Sequence, residues 1–283
     1  MSANSKIEWT DETWNPLVGC TWASPGCDNC YAVQMTRRLE AMGKANYTGL
    51  TNHKHFNGVV RTLPDRLKEP LSWKKPRMVF VNSMSDLFHQ DVPFEFIDKV
   101  FVVMALANEH TFQVLTKRPQ RMLEYLRRTD RASATKKAAR SVGYSLEYDG
   151  ISLLPQVLRN VWLGCSVEDQ EHVRKRMIHM KRVDDFGWTV WVSYEPALGS
   201  IDWQGCWFLD WIVSGGESGP NSRRSLPQWH RDARDFCKAS GIPYFFKQWG
   251  AFDADGKRVG KKKAGRLLDG VEHSEFPRTK STE

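Results

Sequence analysis

Six short apolar runs, each followed by a polar loop, constrain the fold of this chain more than any other feature. They are 77–82 (RMVFVN), 111–115 (TFQVL), 161–165 (VWLGC), 189–193 (TVWVS), 211–214 (WIVS) and 242–246 (IPYFF). Runs that are apolar throughout, rather than alternating, read as parallel strands buried on both faces. Helical patterns follow at 94–107, 119–128, 170–180 and 227–240, and an earlier one spans 32–42. The pattern at 227–240 starts on Pro227 and closes on Gly241, which suits a first helical turn and a C-terminal cap. A recurring strand–loop–helix unit predicts an α/β fold, a partial or complete (β/α) barrel.

The 283 residues are enough for one such barrel with a short appendage. We expect the barrel to occupy 1–250, with loop-rich insertions at 43–76 and 129–159. The Lys- and Gly-rich stretch 251–283 then forms a basic C-terminal extension with room for a small hairpin. No repeat of solenoid length is present.

In such barrels function gathers at the C-terminal ends of the strands. Every predicted strand here delivers polar groups just past its end: Asn82-Ser83-Met84-Ser85-Asp86, Thr116-Lys117-Arg118, Ser166-Val167-Glu168-Asp169, Ser193-Tyr194-Glu195, Gly215-Gly216-Glu217-Ser218 and Lys247-Gln248-Trp249. Six such loops in one topological place predict one shared site.

The net charge of +8, concentrated at 117–128, 131–140, 174–182 and 257–266, suits a polyanionic partner and makes nucleic acid or a nucleotide the expected substrate. A well-solvated basic surface is the alternative. No apolar run approaches the roughly 20 residues that a bilayer needs. The N-terminal segment is polar, with no hydrophobic leader, so a cytoplasmic location is expected.

Of six cysteines, three cluster: six residues separate Cys20 from Cys27 and two separate Cys27 from Cys30. Cys165, Cys206 and Cys237 are scattered. Three thiolates in a Gly/Pro loop at the mouth of a barrel can ligate three irons of a [4Fe–4S] cluster, leaving the fourth iron open. The amino and carboxylate groups of S-adenosylmethionine chelate such an iron. One electron then releases a 5′-deoxyadenosyl radical, so the cysteines predict a radical S-adenosylmethionine enzyme that draws on an external electron donor. Structural zinc is the competitor, with its fourth ligand from His53, His55 or a distant cysteine.

The chain also resembles a known family. Trp14-Asn15-Pro16, Ser24-Pro25-Gly26-Cys27-Asp28-Asn29-Cys30-Tyr31-Ala32, Asn82 to His89, Thr116-Lys117-Arg118-Pro119, Ser166 to Asp169, Glu195-Pro196, Gly215 to Gly219 and Phe246 to Gly250 are similar to motifs of the phage-associated three-Cys-motif family. Its radical-SAM-like members occur in phages and prophages. The resemblance implies a radical-SAM-type barrel, a [4Fe–4S] cluster and S-adenosylmethionine as cofactor, but no substrate. The gap between the first two cysteines exceeds the three residues most widespread among radical SAM proteins.

By position in barrels of that type, the resemblance assigns Asn82, Ser83, Ser85 and Asp86 to the methionine end of the cofactor. Ser166 and Glu168 go to its ribose and carboxylate, and Glu195, Gly215 and Gly216 to the same ligand. Asp86 and Glu168 have capping as an alternative, and the two glycines a plain tight turn. Lys117, Arg118, Arg223, Arg224 and Lys247 are candidates for phosphate contact, with Glu217 beside them. Trp22, Tyr31, Phe88, Tyr194 and Trp249 are candidates for stacking on a base. Tyr194, with His89, is also a candidate for moving a proton or quenching a radical alongside the catalytic cysteines.

The expected function is hydrogen abstraction from a nucleotide or DNA base, foremost thymidine hypermodification or isomerisation. A radical SAM lyase that repairs DNA photolesions is the alternative. A protein or metabolite substrate, or a non-catalytic zinc- or cluster-bearing nucleic-acid-binding protein, are the other readings. Oligomeric state is left open.

Overall fold

The computed structural model of the chain describes residues 5, 7–52, 54–144 and 157–278. Seven strands form one sheet in chain order: β1 Glu12–Trp14, β2 Met78–Val81, β3 Thr111–Thr116, β4 Val161–Val167, β5 Thr189–Tyr194, β6 Trp211–Gly215 and β7 Tyr244–Gln248. Every neighbouring pair is parallel, and β1 and β7 are the two edges.

The sheet is curled, and one side chain demonstrates it. The ring of Trp9 lies 4.7 Å from that of Phe80 on β2, 5.3 Å from Trp191 on β5 and 6.2 Å from Trp211 on β6. In a flat sheet β2 and β6 would stand roughly 19 Å apart, at about 4.8 Å per strand. A single indole touches both only because the sheet bends round it. The barrel is therefore partial, a half-barrel with Trp9 in its floor. Its first strand, Glu12–Trp14, was not among the expected runs.

Alternation along each strand separates two cores. Val79, Val114, Leu163, Val192 and Ile212 point outward into the main core beneath the helices. Phe80, Trp162, Trp191, Trp211 and Phe245 point inward and cluster around Trp9. Further along the strands the inner face turns polar: Phe80 gives way to Asn82, Trp162 to Ser166, Trp191 to Ser193 and Glu195, Phe245 to Lys247. The half-barrel is thus a bowl with an aromatic floor and a polar rim. Gly164 sits between the two levels; a Cβ there would lie 2.3 Å from Trp191 Cε2, so only glycine lets that indole lie across β4.

Helices α1 Tyr31–Ala41, α2 Phe94–Leu106, α3 Pro119–Leu126, α4 Arg131–Ser141, α5 Gln170–Asp184 and α6 Pro227–Ser240 complete the main architecture. α6 closes on Gly241 at φ 67, a left-handed cap that glycine adopts without strain. Within the stretch 129–159, α4 packs Ala138 and Ala139 on Val102 of α2, and 145–156 lie outside the described residues. In the stretch 43–76, Arg61–Thr62 pairs antiparallel with Leu17–Val18. Tyr47, Leu50, Phe56 and Leu63 build a small second core with Val18, Ala32 and Val33, on either side of the cysteine loop.

The C-terminal extension packs onto the sheet. Leu267–Leu268 and Val271–Glu272 form a hairpin whose turn, Asp269-Gly270, has positive φ at both residues (53 and 79) as a tight two-residue turn requires. The chain then runs along β7, where Phe246 N donates to His273 O (3.0 Å) and Glu275 N to Tyr244 O (3.2 Å). No described helix is long and apolar enough to cross a membrane.

Candidate active site in the half-barrel mouth

Cys20, Cys27 and Cys30 line one cavity of ≈ 150 Å³ at the ends of β2 and β3. The chain enters this loop at Gly19, whose φ is 92 and whose Cβ position lies 2.1 Å from Val59 O, so no side chain fits there. A short turn, Pro25–Cys27, carries the second cysteine, and Cys30 is the N-cap of α1. Cys165, Cys206 and Cys237 are buried in the main core. Cys165, next to Ser166, faces the helices because it alternates with Gly164 and Ser166 on β4.

The loop is gripped from three strand ends. After β3, Arg118 donates from Nη1 to Asp86 Oδ2 (2.8 Å) and reaches Cys20 Sγ (3.8 Å), while its Nη2 donates to Thr21 Oγ1 (2.8 Å). After β4, Glu168 accepts from Ser24 Oγ (2.8 Å), from Lys117 Nζ and from Arg176 Nη1 (2.8 Å). A Cβ on Gly26 would lie 2.5 Å from Glu168 Oε1, so the loop passes against this carboxylate only as glycine. After β6, Glu217 accepts from Asn29 Nδ2 (3.0 Å) and from Arg223, whose Nη2 also donates to Pro25 O (2.8 Å).

This belt engages many of the residues expected to meet a ligand, several of which also line the cavity. Asp86 was assigned to the cofactor, yet its oxygens accept from Phe88 N, Thr116 Oγ1, Lys117 N and Arg118, so it positions Arg118. Glu168 is wholly buried and spent on Ser24, Lys117 and Arg176. Lys117, Arg118 and Arg223, expected on phosphate, are each paired with a carboxylate. Glu217 holds the cysteine loop while also lining the mouth. Ser83 Oγ donates to Asn15 and Ser85 Oγ to Leu17 O, so both tether their loop to the segment before Cys20.

The electrostatics follow from burial and pairing. Burial raises the Cys20 thiol to about 12, with Asp86 adding to the effect and Arg118 opposing it. Burial foremost, then Cys27, also raises Cys30, against the N–H groups of Ala32 and Val33 at the start of α1. Burial opposes the charge on Glu168, but Lys117 and Arg176 outweigh it and hold the carboxyl at about 2. His89 takes the N–H of Asp91 on Nδ1 (3.2 Å), so its Nε2 carries the proton and donates to Thr21 Oγ1 (2.8 Å). Burial, then Arg118, lowers its pKa and favours that neutral form.

A second cavity, of ≈ 350 Å³, adjoins the first across Cys30, Tyr31, Phe80, Leu115, Lys117 and Ser166. Its far wall comes from Ser193, Glu195, Gly216, Glu217, Lys247 and Gln248. Glu195 accepts from Lys247 Nζ (2.7 Å) and Gln248 Nε2 (3.1 Å). Gly215 and Gly216 serve close packing: a Cβ on the second would lie 2.0 Å from Trp249 O. Lys261, on the short helix Lys261–Ala264, also lines this cavity and pairs with Glu8 (2.8 Å).

Among the expected residues that line neither cavity, Tyr194, Trp249, Phe88 and Arg224 also make no contact with the cysteine loop. Tyr194 alternates outward on β5, donates to Gly199 O and packs against Trp203, so it is a core residue. Trp249 packs on Phe246 and His230 and donates to Leu267 O. Phe88 is fully buried in the main core. Arg224 is exposed and lies across Gly256 in the C-terminal extension. Conversely, Asn29 and Lys261 were given no role at the site and line its second cavity, as do Ser193 and Gln248, which were expected there only as strand-end polar groups.

The residues present fit an iron–sulfur cluster with a small polar ligand. The three thiols ring a cavity, while among the described residues no three His, Cys, Asp or Glu side chains gather into a site for one metal ion. His55 lines the same cavity with its Nδ1 unpartnered, and His53 lies outside the described residues. Buried thiols of high pKa become thiolates only against a compensating cation. Beside them Asn82, with φ 62 and 2% exposed, has neither its Oδ1 nor its Nδ2 bonded to any group of the protein. A buried amide left unpaired on a cavity wall is what a bound polar ligand would satisfy.

No curated protein matches the chain. Among solved structures it is similar to spore photoproduct lyase complexed with dinucleoside spore photoproduct, at 11% identity and a TM-score of 0.45, over 83% of this chain and 63% of that one. It is also similar to a mutant spore photoproduct lyase with bound AdoMet and dinucleoside spore photoproduct, at 10% identity and a TM-score of 0.43, over 85% of this chain and 54% of that one. The chain thus spans less than two thirds of either. The model of one protein family matches almost all of it, residues 4–277, and the chain belongs to that family, described as "Protein of unknown function (DUF5131)".

Proposed function

We propose that this protein is a radical S-adenosylmethionine enzyme acting on a nucleotide or nucleic-acid base, with thymidine modification as its foremost reaction. One observation carries the reading: three thiols from one loop share a cavity with the unpaired amide of Asn82, and that cavity opens into a second, larger one. Cys20, Cys27 and Cys30 would hold the cluster, and Asn82 and Ser166 would meet the cofactor. When bound, the cluster and S-adenosylmethionine supply a 5′-deoxyadenosyl radical able to abstract an unactivated hydrogen.

The chain's own residues do the rest. Arg118, Glu168 and Glu217 fix the cysteine loop against three strands. Trp9, Phe80 and Leu115 give the cavities an apolar wall that keeps water from a reactive species. Lys261, which lines the second cavity, is followed on the same short helix by Lys262 and Lys263, and positive charge there suits the phosphate of a nucleotide. The phage setting implied by the motif resemblance belongs to this reading.

The test is anaerobic reconstitution with iron and sulfide, reduction, and assay for 5′-deoxyadenosine. Cleavage of S-adenosylmethionine, with deuterium exchange from labelled thymidine or DNA, is expected. Iron loading without cleavage, with or without nucleic acid, would overturn the reading in favour of a non-catalytic nucleic-acid-binding protein.

A further inference from the structure

We propose that Glu195, Lys247 and Gln248 form a subsite that reads the imide edge of a pyrimidine-2,4-dione base, a ring N–H beside a carbonyl. This rests on the reading above and gives it a residue-level substrate determinant.

A break in strand pairing creates the subsite. Ser214 pairs with Phe246, but Gly215 pairs with Gln248, leaving Lys247 as an extra residue on β7. Consecutive side chains of a regular strand point to opposite faces. Here two consecutive ones reach a single carboxylate: Lys247 Nζ donates to Glu195 Oε2 at 2.7 Å and Gln248 Nε2 to Glu195 Oε1 at 3.1 Å. Re-aiming a side chain is what a β-bulge does beside a functional site. Gly215 makes room for it, since a Cβ there would stand 3.3 Å from Glu195 Oε1.

Glu195 also fixes which atoms the pair presents. The amide nitrogen of Gln248 must face the carboxylate, so Oε1 is the end left over. Gln248 is 4% exposed, lines the second cavity, and its Oε1 has no partner in the protein. That oxygen can only accept, and it calls for an N–H. Lys247 has three donors and spends one on Glu195. An acceptor beside a donor matches an imide edge. A cytosine ring held in the same placement turns the lone pair of N3 toward the glutamine oxygen and is rejected, and only a shifted ring could offer N4–H there instead. Phe80 and Leu115 line the same cavity and offer a ring apolar contact. Adenine presents a similar donor–acceptor order. Position favours the substrate: Asn82 lines the cavity of the cysteines and not the second one, whereas Gln248 lines the second and not the first.

The test is calorimetric titration of the reconstituted full chain with thymidine monophosphate, its N3-methyl derivative and deoxycytidine monophosphate. The expected result is at least tenfold tighter binding of thymidine monophosphate than of either other ligand. Gln248→Leu should erase that ratio with iron content unchanged, and Gln248→Met serves if that variant does not fold. Equal affinity for the N3-methyl ligand overturns the proposal, as does a ratio that survives in the variants or no binding of any nucleotide. Loss of S-adenosylmethionine affinity in the variants, with thymidine discrimination intact, would place adenine there and overturn it too. Cleavage of S-adenosylmethionine is assayed separately, so failure of this subsite is distinguishable from failure of the enzyme reading.

Discussion

Glu168, wholly buried after β4, accepts a 2.8 Å hydrogen bond from Ser24 in the middle of the cysteine loop, 144 residues away in sequence. That bond joins the sheet to the loop through a charge held by Lys117 and Arg176. Removing one partner from a buried ionic cluster leaves the others uncompensated and costs about 3 kcal/mol. Glu168→Gln is therefore expected to lower the thermal midpoint by several degrees and to lower iron loading. The pH dependence has a definite sign. The folded carboxyl is depressed from 4.5 to about 2. Its contribution is fully present above the unfolded value and is lost as pH falls from about 4.5 to about 2. Acid unfolding of the wild type should be steeper in that window than that of the variant. Superimposable acid limbs would show that Glu168 contributes no such charge.

The cysteines divide into two groups with different expected phenotypes. Replacing Cys20, Cys27 or Cys30 by Ala removes a ligand from the shared cavity and should abolish the broad visible absorbance of an iron–sulfur protein. Replacing Cys165, Cys206 or Cys237 removes a buried core side chain and should lower stability while leaving absorbance per folded protein unchanged. Iron quantitation and absorbance after anaerobic reconstitution decide this. Loss of the spectrum with Cys165→Ala would contradict its outward orientation on β4.

Gly164→Ala tests the floor of the half-barrel. The new methyl would meet Trp191 at 2.3 Å, and Trp191 is itself wedged between Trp9 and Trp211. A close-packed floor yields little, so the cost is expected at roughly 1–3 kcal/mol. A denaturant midpoint indistinguishable from wild type would show that the aromatic cluster is looser than its geometry.

The sheet was legible where strands are long and apolar on both faces. β4 and β5 read directly from VWLGC and TVWVS, because Val, Leu and Trp are buried alike on the helix side and around Trp9. Glu12–Trp14 was not legible, since three residues with a charge among them carry no pattern; pairing with β2 makes them a strand. The clustering of three cysteines was visible in the sequence, and the family resemblance set Asn82 at the mouth, where it lines the same cavity. The belt was not. Sequence shows Glu168, Arg118 and Glu217 as charges at strand ends, and such charges look available to ligands. Only long-range contacts to Ser24, Thr21 and Asn29 reveal that they are spent. Tyr194 and Trp249 misled for a related reason, because a strand end fixes where a side chain starts and the alternation decides which way it faces.

Arg223 offers a test of that belt that charge alone cannot mimic. Its guanidinium donates to both oxygens of Glu217, to Pro25 O and to Asp28 at once. Lysine keeps the charge but has one nitrogen to place, so it cannot span these partners. If the belt positions the cysteines through this fork, Arg223→Lys and Arg223→Ala should load iron to a similarly reduced extent, and protease cleavage within 20–30 should accelerate in both. Rescue by lysine would reduce Arg223 to a positive charge near Glu217. Normal loading in the alanine variant would leave Arg118 and Glu168 as the parts of the belt that hold the loop.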